Sequence, residues 1–257
     1  MPAILITGCS SGFGLETGRL FLDHGWDVVA TMRAPDPKVI PASVRLRILQ
    51  LDVTDAASVA RTVADAGPID VLVNNAGLGV PSPIEVTEPS IARAMFETNT
   101  LGTLAMIQAV LPSFRERRSG VIINVSSSTT LKSQPMVGVY RASKAAVNSM
   151  TETLALEVRE FGVRAHLVVP GSAPETRFGE NGIPHLRGRD NADYGPTIER
   201  MVAHMRNQSG PVTHPSDVAA AIWQCATDPS SPFRLAAGRD VEALMEEAGM
   251  TRLCQSV

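Results

Sequence analysis

AILITGCSSGFGLETGRLFLDHGWDVVATM, residues 3–32, is the stretch whose reading decides the fold. Its first five residues, AILIT, are apolar, rich in β-branched side chains and bounded by glycine, which predicts a short buried strand. An uncharged loop with three glycines follows, then a helix-length segment at 15–24 and a second apolar run, DVVATM, at 27–32. Strand, glycine turn, helix and strand in this order make a βαβ unit.

Working outward, the runs RLRILQL (45–51), DVLVNN (70–75), GVIINVS (120–126) and VRAHLVV (163–169) alternate with helix-length segments at 56–66, 88–117 and 138–161. Runs that are apolar on both faces predict parallel strands covered by helices on either side. The expected fold is α/β, a doubly wound parallel sheet of Rossmann type, in one domain over 1–257. No internal repeat, low-complexity tract or Gly/Ser linker divides the chain. Residues 171–197 break the pattern, being dense in Gly, Pro, Asn and Asp with neither period. A long loop after a strand end, where open α/β sheets bind ligands, predicts a substrate lid over about 171–207. Within it Ile198, Met201, Val202 and Met205 share one helical face, expected to pack as core or to roof an apolar substrate.

With 44% hydrophobic and 19% charged residues the composition is that of an ordinary globular domain. Lys plus Arg number 23 against 26 Asp plus Glu, a net charge of -3. That balance gives no reason to expect nucleic acid or an anionic membrane as partner. The basic run RERR at 115–118 reads as a helix C-terminus, where cations are favoured. Cys9, Cys225 and Cys254 are odd in number and far apart, which argues against a disulfide framework or zinc site and for a reducing, cytoplasmic location. The five histidines lack metal-ligand spacing, so no metal is expected. The start lacks the pattern of a signal peptide, and no apolar stretch of about 18 residues is present to span a membrane.

Two motifs carry chemistry. In TGCSSGFG (7–14), Gly8 permits a tight turn, Gly12 lets the backbone approach a pyrophosphate and Gly14 lets the next helix pack close. Ser10, Ser11 and Phe13 complete the loop, and the helix N-terminus supplies free N–H groups for the anion. The spacing is GxxxGxG and no GK[ST] follows, so a dinucleotide rather than a nucleoside triphosphate is expected. The end of the second strand reads the ribose, with an acid for a free 2′-hydroxyl and an arginine for a 2′-phosphate. ATMRAP offers Arg33 and no acid, while Asp27 lies at the strand's beginning; NADP(H) is therefore expected over NAD(H). The second motif is YRASK (140–144), which places Tyr140 one helical turn before Lys144 in a chain with only two tyrosines and three lysines. A free tyrosine titrates near pH 10, and a neighbouring cation would bring it down.

TGCSSGFG, LDVT (51–54), NNAG (74–77), Asn99 in ETNTLG, NVSS (124–127), YRASK and PG (170–171), in this order, resemble the motif set of the short-chain dehydrogenase/reductase family over residues 3–176. The first 33 residues are similar to its NADP-preferring steroid and retinol dehydrogenase branch. The resemblance implies an NAD(P)-dependent oxidoreductase that interconverts a small secondary alcohol and its ketone, or an aldehyde and its alcohol, by hydride transfer. It implies Tyr140 as acid/base, Lys144 as its cation and a holder of the nicotinamide ribose, and Ser127 as hydrogen-bond partner of the substrate oxygen. Ser126 and Ser128 are expected to point to the other face. Asn99 would support a water-mediated proton path to the lysine. Asp52 and Val53 would meet the adenine, and Asn75, Ala76 and Gly77 the adenosine ribose, whereas Asn74 would be structural. Pro170, Gly171 and Thr176 would line the nicotinamide carboxamide. One departure stands out: the family reads PGxVxT, but PGSAPET sets Thr176 five after Gly171 with Pro174 between, so either the loop bulges or another group makes that contact. Helices at 88–117 and 138–161 resemble the family's dimerisation surface, implying a homodimer or homotetramer. The alternatives are a dehydratase or epimerase variant of the fold, or a non-catalytic dinucleotide-sensing regulator.

Overall fold

The computed structural model describes residues 1–186, 188, 191–206 and 210–249. One seven-stranded parallel sheet organises them, with strands β1 (Ala3–Thr7), β2 (Asp27–Met32), β3 (Leu46–Gln50), β4 (Val71–Asn74), β5 (Gly120–Val125), β6 (Val163–Pro170) and β7 (Arg234–Ala237). Their spatial order is β3-β2-β1-β4-β5-β6-β7. The order reverses between β1 and β4, so the chain builds one half of the sheet outward and then returns to build the other. A crevice opens at that point beyond the carboxyl ends of the strands.

Alternation within the strands explains the two helical layers. Ile4 and Ile6 join Val28, Val73 and Ile123 on one face, beneath α1 (Gly12–Asp23) and a helix at Pro215–Thr227. Leu5 turns the other way with Val29, Leu72 and Ile122, beneath α2 (Ala56–Ala66) and helices at Gly102–Arg117 and Gly138–Val158. Because both faces are covered, every second residue is also apolar, and the strands read as continuous hydrophobic runs. On the first face Phe21 meets Trp26 and Trp223 edge-on, each at 5.0 Å between ring centroids.

The segment 88–117, expected as one helix, is α3 (Pro89–Phe96), a π-helical turn (Glu97–Leu101) and α4 (Gly102–Arg117). Its basic end behaves as expected: Arg117 pairs with Asp70 at 3.2 Å and Arg115 lies over the Phe161 ring. The next helix, α5, runs Gly138–Val158. The stretch 171–197 is not structureless: it contains α6 (Phe178–Gly182) and a 3₁₀ turn (Ile183–His185), and α7 (Gly195–Arg206) follows. Residues 187, 189, 190 and 207 of the expected lid lie outside the described residues, as does the side chain of Met205. Ile198 is buried, and Met201 and Val202 pack with it against Met136 and Leu186, so this part of the stripe is core. After α8 (Pro215–Thr227) come β7 and α9 (Arg239–Glu247), which the periodicity had not indicated.

A buried polar chain ties the sheet to α5. Asn74 Nδ2 donates to Asn124 Oδ1 at 2.8 Å, Asn124 Nδ2 donates to Thr151 Oγ1 at 2.8 Å, and the Thr151 hydroxyl donates to Val147 O. Asn74 is thus structural, as expected. Replacing Asn124 by leucine strands the Asn74 amide and one lone pair of Thr151 in a site closed to water. We expect a loss of roughly 1–3 kcal/mol in urea unfolding. A midpoint equal to the wild type's would remove this chain as a determinant of stability.

Candidate active site

On α5 the buried residues are Tyr140, Ser143, Lys144, Val147, Thr151, Leu154 and Val158, recurring at three and four. That is a single helical stripe. Its later members pack into the core, and its first three reach the carboxyl edge of the sheet. Lys144 is only 4% exposed, and its ammonium donates to Val125 O, the last residue of β5, at 2.8 Å. Burial lowers its pKa to about 8, because the charged form has left water. Tyr140 is pushed up to about 12 by burial, while its hydrogen bond with Ser127 pulls the other way. At neutral pH the phenol therefore keeps its proton.

Ser127 follows β5 and caps the 3₁₀ turn Ser128–Thr130. Its oxygen accepts from Thr129 N at 3.3 Å and lies 3.0 Å from the Thr129 hydroxyl. Ser126 turns elsewhere and donates to Asn148 Oδ1 at 2.5 Å. The strand stops at Val125, so Ser127 and Ser128 belong to a turn, and turn geometry rather than strand alternation separates them.

Asn99 sits in the π-helical turn, fully buried, and its side chain is fully committed. Oδ1 accepts from Leu78 N at 2.7 Å, while Nδ2 donates to Leu78 O at 2.8 Å and Ser143 Oγ at 2.9 Å. The amide thus clamps the segment after β4 against α5. A Cβ on Gly77 would stand 3.4 Å from Asn99 Oδ1 and 3.7 Å from Lys144 Nζ, so Gly77 keeps the space before the ammonium open.

The glycine loop spans β1 and α1. Gly8 has φ +77°, and a Cβ there would press on Ala76 at 3.0 Å; a Cβ on Gly14 would stand 2.4 Å from Gly8 O. Helix and loop are therefore in backbone contact. Asn75 fastens them, its Nδ2 donating to Thr7 O at 2.9 Å and Gly8 O at 3.1 Å, and Thr7 Oγ1 accepts from Asn75 N and Ala76 N. Thr7 was not singled out in the sequence, although a hydroxyl at a strand's last position is the available signal. Ser11 precedes α1 without a side-chain cap, which leaves the helix N-terminal N–H groups for a ligand. Ser10 is exposed and Phe13 packs against the core beneath α1.

Arg33, immediately after β2, is exposed, and its charge reaches Asp52 after β3. Thr54, through its N–H and then its hydroxyl, holds the Asp52 carboxyl below the usual carboxylate range, with Arg33 adding a smaller pull. Val53 packs where a Cβ on Gly102 would come within 2.7 Å.

Beyond Pro170, the last residue of β6, Gly171 N donates to Thr213 Oγ1 at 2.8 Å and Ser172 N to Asp240 Oδ2 at 2.9 Å. Thr176 returns over the glycine loop, its methyl 3.2 Å from where a Cβ on Gly12 would lie, and its hydroxyl donates to Ala173 O. Phe178 covers Tyr140 at 5.4 Å between ring centroids and abuts Gly79. Its position in a segment without periodicity hid it from the sequence. The sequence-derived residues thus gather along one edge, with a glycine cradle and an open helix N-terminus that fit a nicotinamide dinucleotide.

The profile described as short chain dehydrogenase matches residues 2–182. The chain is 36% identical over 250 residues to a 3-ketodihydrosphingosine reductase of Bacteroides thetaiotaomicron, covering 95% of this chain and 91% of the relative. Among solved structures, a short-chain dehydrogenase from Streptomyces avermitilis is 31% identical with a TM-score of 0.84, covering 97% of this chain and 93% of that one. A Burkholderia cenocepacia short-chain dehydrogenase in complex with NADP is 25% identical, TM-score 0.77, over 98% and 94%. A Brucella melitensis 3-ketoacyl-(acyl-carrier-protein) reductase complexed with NADH is 26% identical, TM-score 0.75, over 92% and 96%.

The buried lysine has a thermodynamic signature. In the unfolded chain it titrates at 10.5 and in the folded one at about 8. Below pH 8 both states carry the proton and the folded state bears the full cost of burying charge. Between pH 8 and 10.5 only the unfolded state holds it, so this cost fades as pH rises. Lys144→Met should therefore raise stability at pH 7 by an amount on the order of 1–3 kcal/mol, with the advantage shrinking toward pH 10. Urea unfolding across that range measures it, and a destabilised variant at pH 7 would contradict the account.

Proposed function

Since the chain belongs to the short-chain dehydrogenase family and is a nicotinamide-dependent oxidoreductase, we propose that it reduces a ketone or aldehyde to the alcohol, and runs the reverse reaction, with NADP(H) preferred over NAD(H). The observation that carries this reading is the buried Tyr140 phenol, hydrogen-bonded to Ser127, on the same helical stripe as the buried Lys144. The coenzyme, when bound, exchanges a hydride with the substrate carbon. Tyr140 gives its proton to the carbonyl oxygen, and a phenol that resists ionisation at neutral pH supports reduction as the working direction. Ser127 donates to the same oxygen as negative charge builds on it. Lys144 holds a cation within the site and reaches the nicotinamide ribose. Asn99 keeps the segment after β4 and α5 at a fixed separation beside that lysine and supports the proton path to it.

Gly8, Ser10, Ser11, Gly12, Phe13 and Gly14 form the phosphate cradle, with the N–H groups of α1 directed at the anion. Arg33 meets the 2′-phosphate. Asp52 and Val53 border the adenine, and Asn75, Ala76 and Gly77 its ribose. Pro170 and Gly171 carry the chain past the nicotinamide, and Thr176 takes the carboxamide. The segment 171–207 acts as a lid, a reading supported by Phe178 on Tyr140 and Thr176 on the glycine loop.

The substrate is apolar in this reading. A groove of about 470 Å³ beside the lid has Pro83, Ile84, Pro135 and Met136 in its wall, together with the polar Glu85, Gln134 and Thr197. A second cavity, of about 500 Å³, lies away from Tyr140 between α4 and α5, with Leu104, Ile107, Met150 and Leu154 in its wall. Leu101, the last residue of the π-helical turn before α4, and Leu156 on α5 are exposed, which supports self-association into a homodimer or homotetramer through these helices.

Coenzyme oxidation followed by absorbance with methyl ketones from butanone to dodecanone, and with the matching aldehydes, tests the activity and the apolar preference. Tyr140→Phe keeps the ring and loses the proton, so turnover should fall by ~10²-fold or more with coenzyme affinity nearly unchanged. More than a tenth of the wild-type turnover in that variant would end this assignment.

Coenzyme choice is tested separately. A charge-assisted hydrogen bond contributes about 1.5–3 kcal/mol, roughly 10- to 150-fold in affinity. NADP(H) should bind at least ~10-fold tighter than NAD(H), and Arg33→Ala should erase most of that ratio while leaving NAD(H) binding intact. Equal affinities in the wild type, or an unchanged ratio in the variant, would exclude Arg33 as the discriminating group.

A further inference from the structure

The Ser127 hydroxyl has one proton and two lone pairs. Both of its close contacts on the turn come from one residue, Thr129, whose N–H donates to Oγ at 3.3 Å and whose hydroxyl lies 3.0 Å away. The turn itself is fixed at two further points. Thr130 donates from its N–H and its hydroxyl to Ser127 O, at 3.0 and 2.7 Å. Arg141, next to Tyr140 on α5, donates from Nε to Thr129 O at 2.8 Å. Ser127 is only 8% exposed, so its proton goes to a partner in the site rather than to bulk water.

Two polarities fit the oxygen–oxygen distance. In one, Ser127 donates to Thr129 and turns a lone pair toward the substrate carbonyl, where oxygen would face oxygen. In the other, Thr129 donates, both serine lone pairs are filled, and the serine proton points at the Tyr140 oxygen and the place of the substrate oxygen. Only the second helps a developing oxyanion. The branched Cβ of Thr129 restricts its rotation and keeps the hydroxyl on the serine.

We propose that Thr129 is a positioning residue that sets the polarity of Ser127, donating both N–H and O–H to Oγ so that the serine acts as a donor, with Arg141 holding Thr129 in place. This rests on the reading of Ser127 and Tyr140 as the groups that meet the substrate oxygen. The same polarity has a second effect. A serine that donates to the Tyr140 oxygen favours the phenolate, in line with the direction of its influence on that group.

The test uses the full chain with NADPH and the methyl ketone of the series above that is reduced fastest. Thr129→Val keeps the shape and the N–H and deletes the hydroxyl donor. It should lower kcat about 10-fold with KM little changed, short of the ~10²-fold or more expected when an oxyanion donor itself is removed. Thr129→Ser should restore most of the rate, and Arg141→Met should lower kcat by a smaller factor. A merely structural role would change KM along with kcat and would not distinguish serine from valine. Unchanged or raised kcat in Thr129→Val would mean that Thr129 accepts, and would overturn the proposal. If Thr129→Val does not fold, Thr129→Ala against Thr129→Ser decides the same contrast. Ser127→Ala separates the two levels: full turnover there sinks the reading of Ser127, whereas loss there with full turnover in Thr129→Val sinks only the role of Thr129.

Discussion

An ammonium group taken out of water must be held by what surrounds it, and in this protein the surroundings of Lys144 draw on four separate parts of the fold. Among the described residues its hydrogen bond goes to a carbonyl at the end of β5. Gly77, three residues beyond β4, contributes by having no side chain in front of the nitrogen. Asn99, in the π-helical turn, spends its whole amide on holding the segment after β4 against α5. Behind it Asn74, Asn124 and Thr151 hold α5 to the sheet. An uncompensated buried charge costs several kcal/mol in a dry interior, so the position of Lys144 depends on these supports. The result is a rigid wall on which Tyr140 and Ser127 are set at a fixed separation.

The opposite wall is made differently. The glycine loop and α1 meet backbone to backbone and are fastened by the side chains of Thr7 and Asn75. What comes over the top, from Gly171 onward, is tied at its root to Thr213 and Asp240 and touches the site through Thr176 and Phe178. Further out, Tyr194 donates to Glu85 at 2.5 Å, and His214 and Glu175 pair at 3.0 Å. These outer contacts are exposed side-chain pairs, which contribute little individually and exchange readily with water. The wall that carries Lys144 is thus buried and interlocked throughout, whereas the opposite one is buried at the glycine loop and at the root beyond β6 and is held by surface pairs only at its outer edge.

This difference also governs what the sequence disclosed. Strands β1, β2 and β4 to β6 were legible because burial on both faces forces continuous apolar runs, and the partly exposed edge strand β3 through its leucines and isoleucine, whereas β7, RLAA, at the opposite edge, is short, only partly covered, and carries no such run. The glycine loop and the Tyr140–Lys144 pair were legible because their chemistry demands fixed residue types at fixed spacing. The π-helical turn at ETNTL was not, since it contains no proline or glycine and depends on bonds from Asn99 to Leu78 and Ser143, 21 and 44 positions away. Phe178 was hidden for the same reason, since its partner Tyr140 is brought close by folding, whereas Thr129 contacts Ser127 only two positions away and looked like any other hydroxyl of a turn. Dense in turn formers, the segment 171–197 looked structureless, yet it contains short helices that local periodicity is too brief to reveal.

The ring cluster beneath α1 and α8 has an optical consequence. Both tryptophans of the chain, Trp26 and Trp223, are in it, packed edge-on around Phe21. Indole emission therefore reports on the integrity of that helical face, while the aromatic rings nearest the crevice, Tyr140, Phe178 and Tyr194, contribute nothing at wavelengths that excite tryptophan alone. The protein carries a built-in fluorophore for its scaffold and none beside Tyr140, so that an indole placed at Phe178 would be a second signal, distinct in environment from the first.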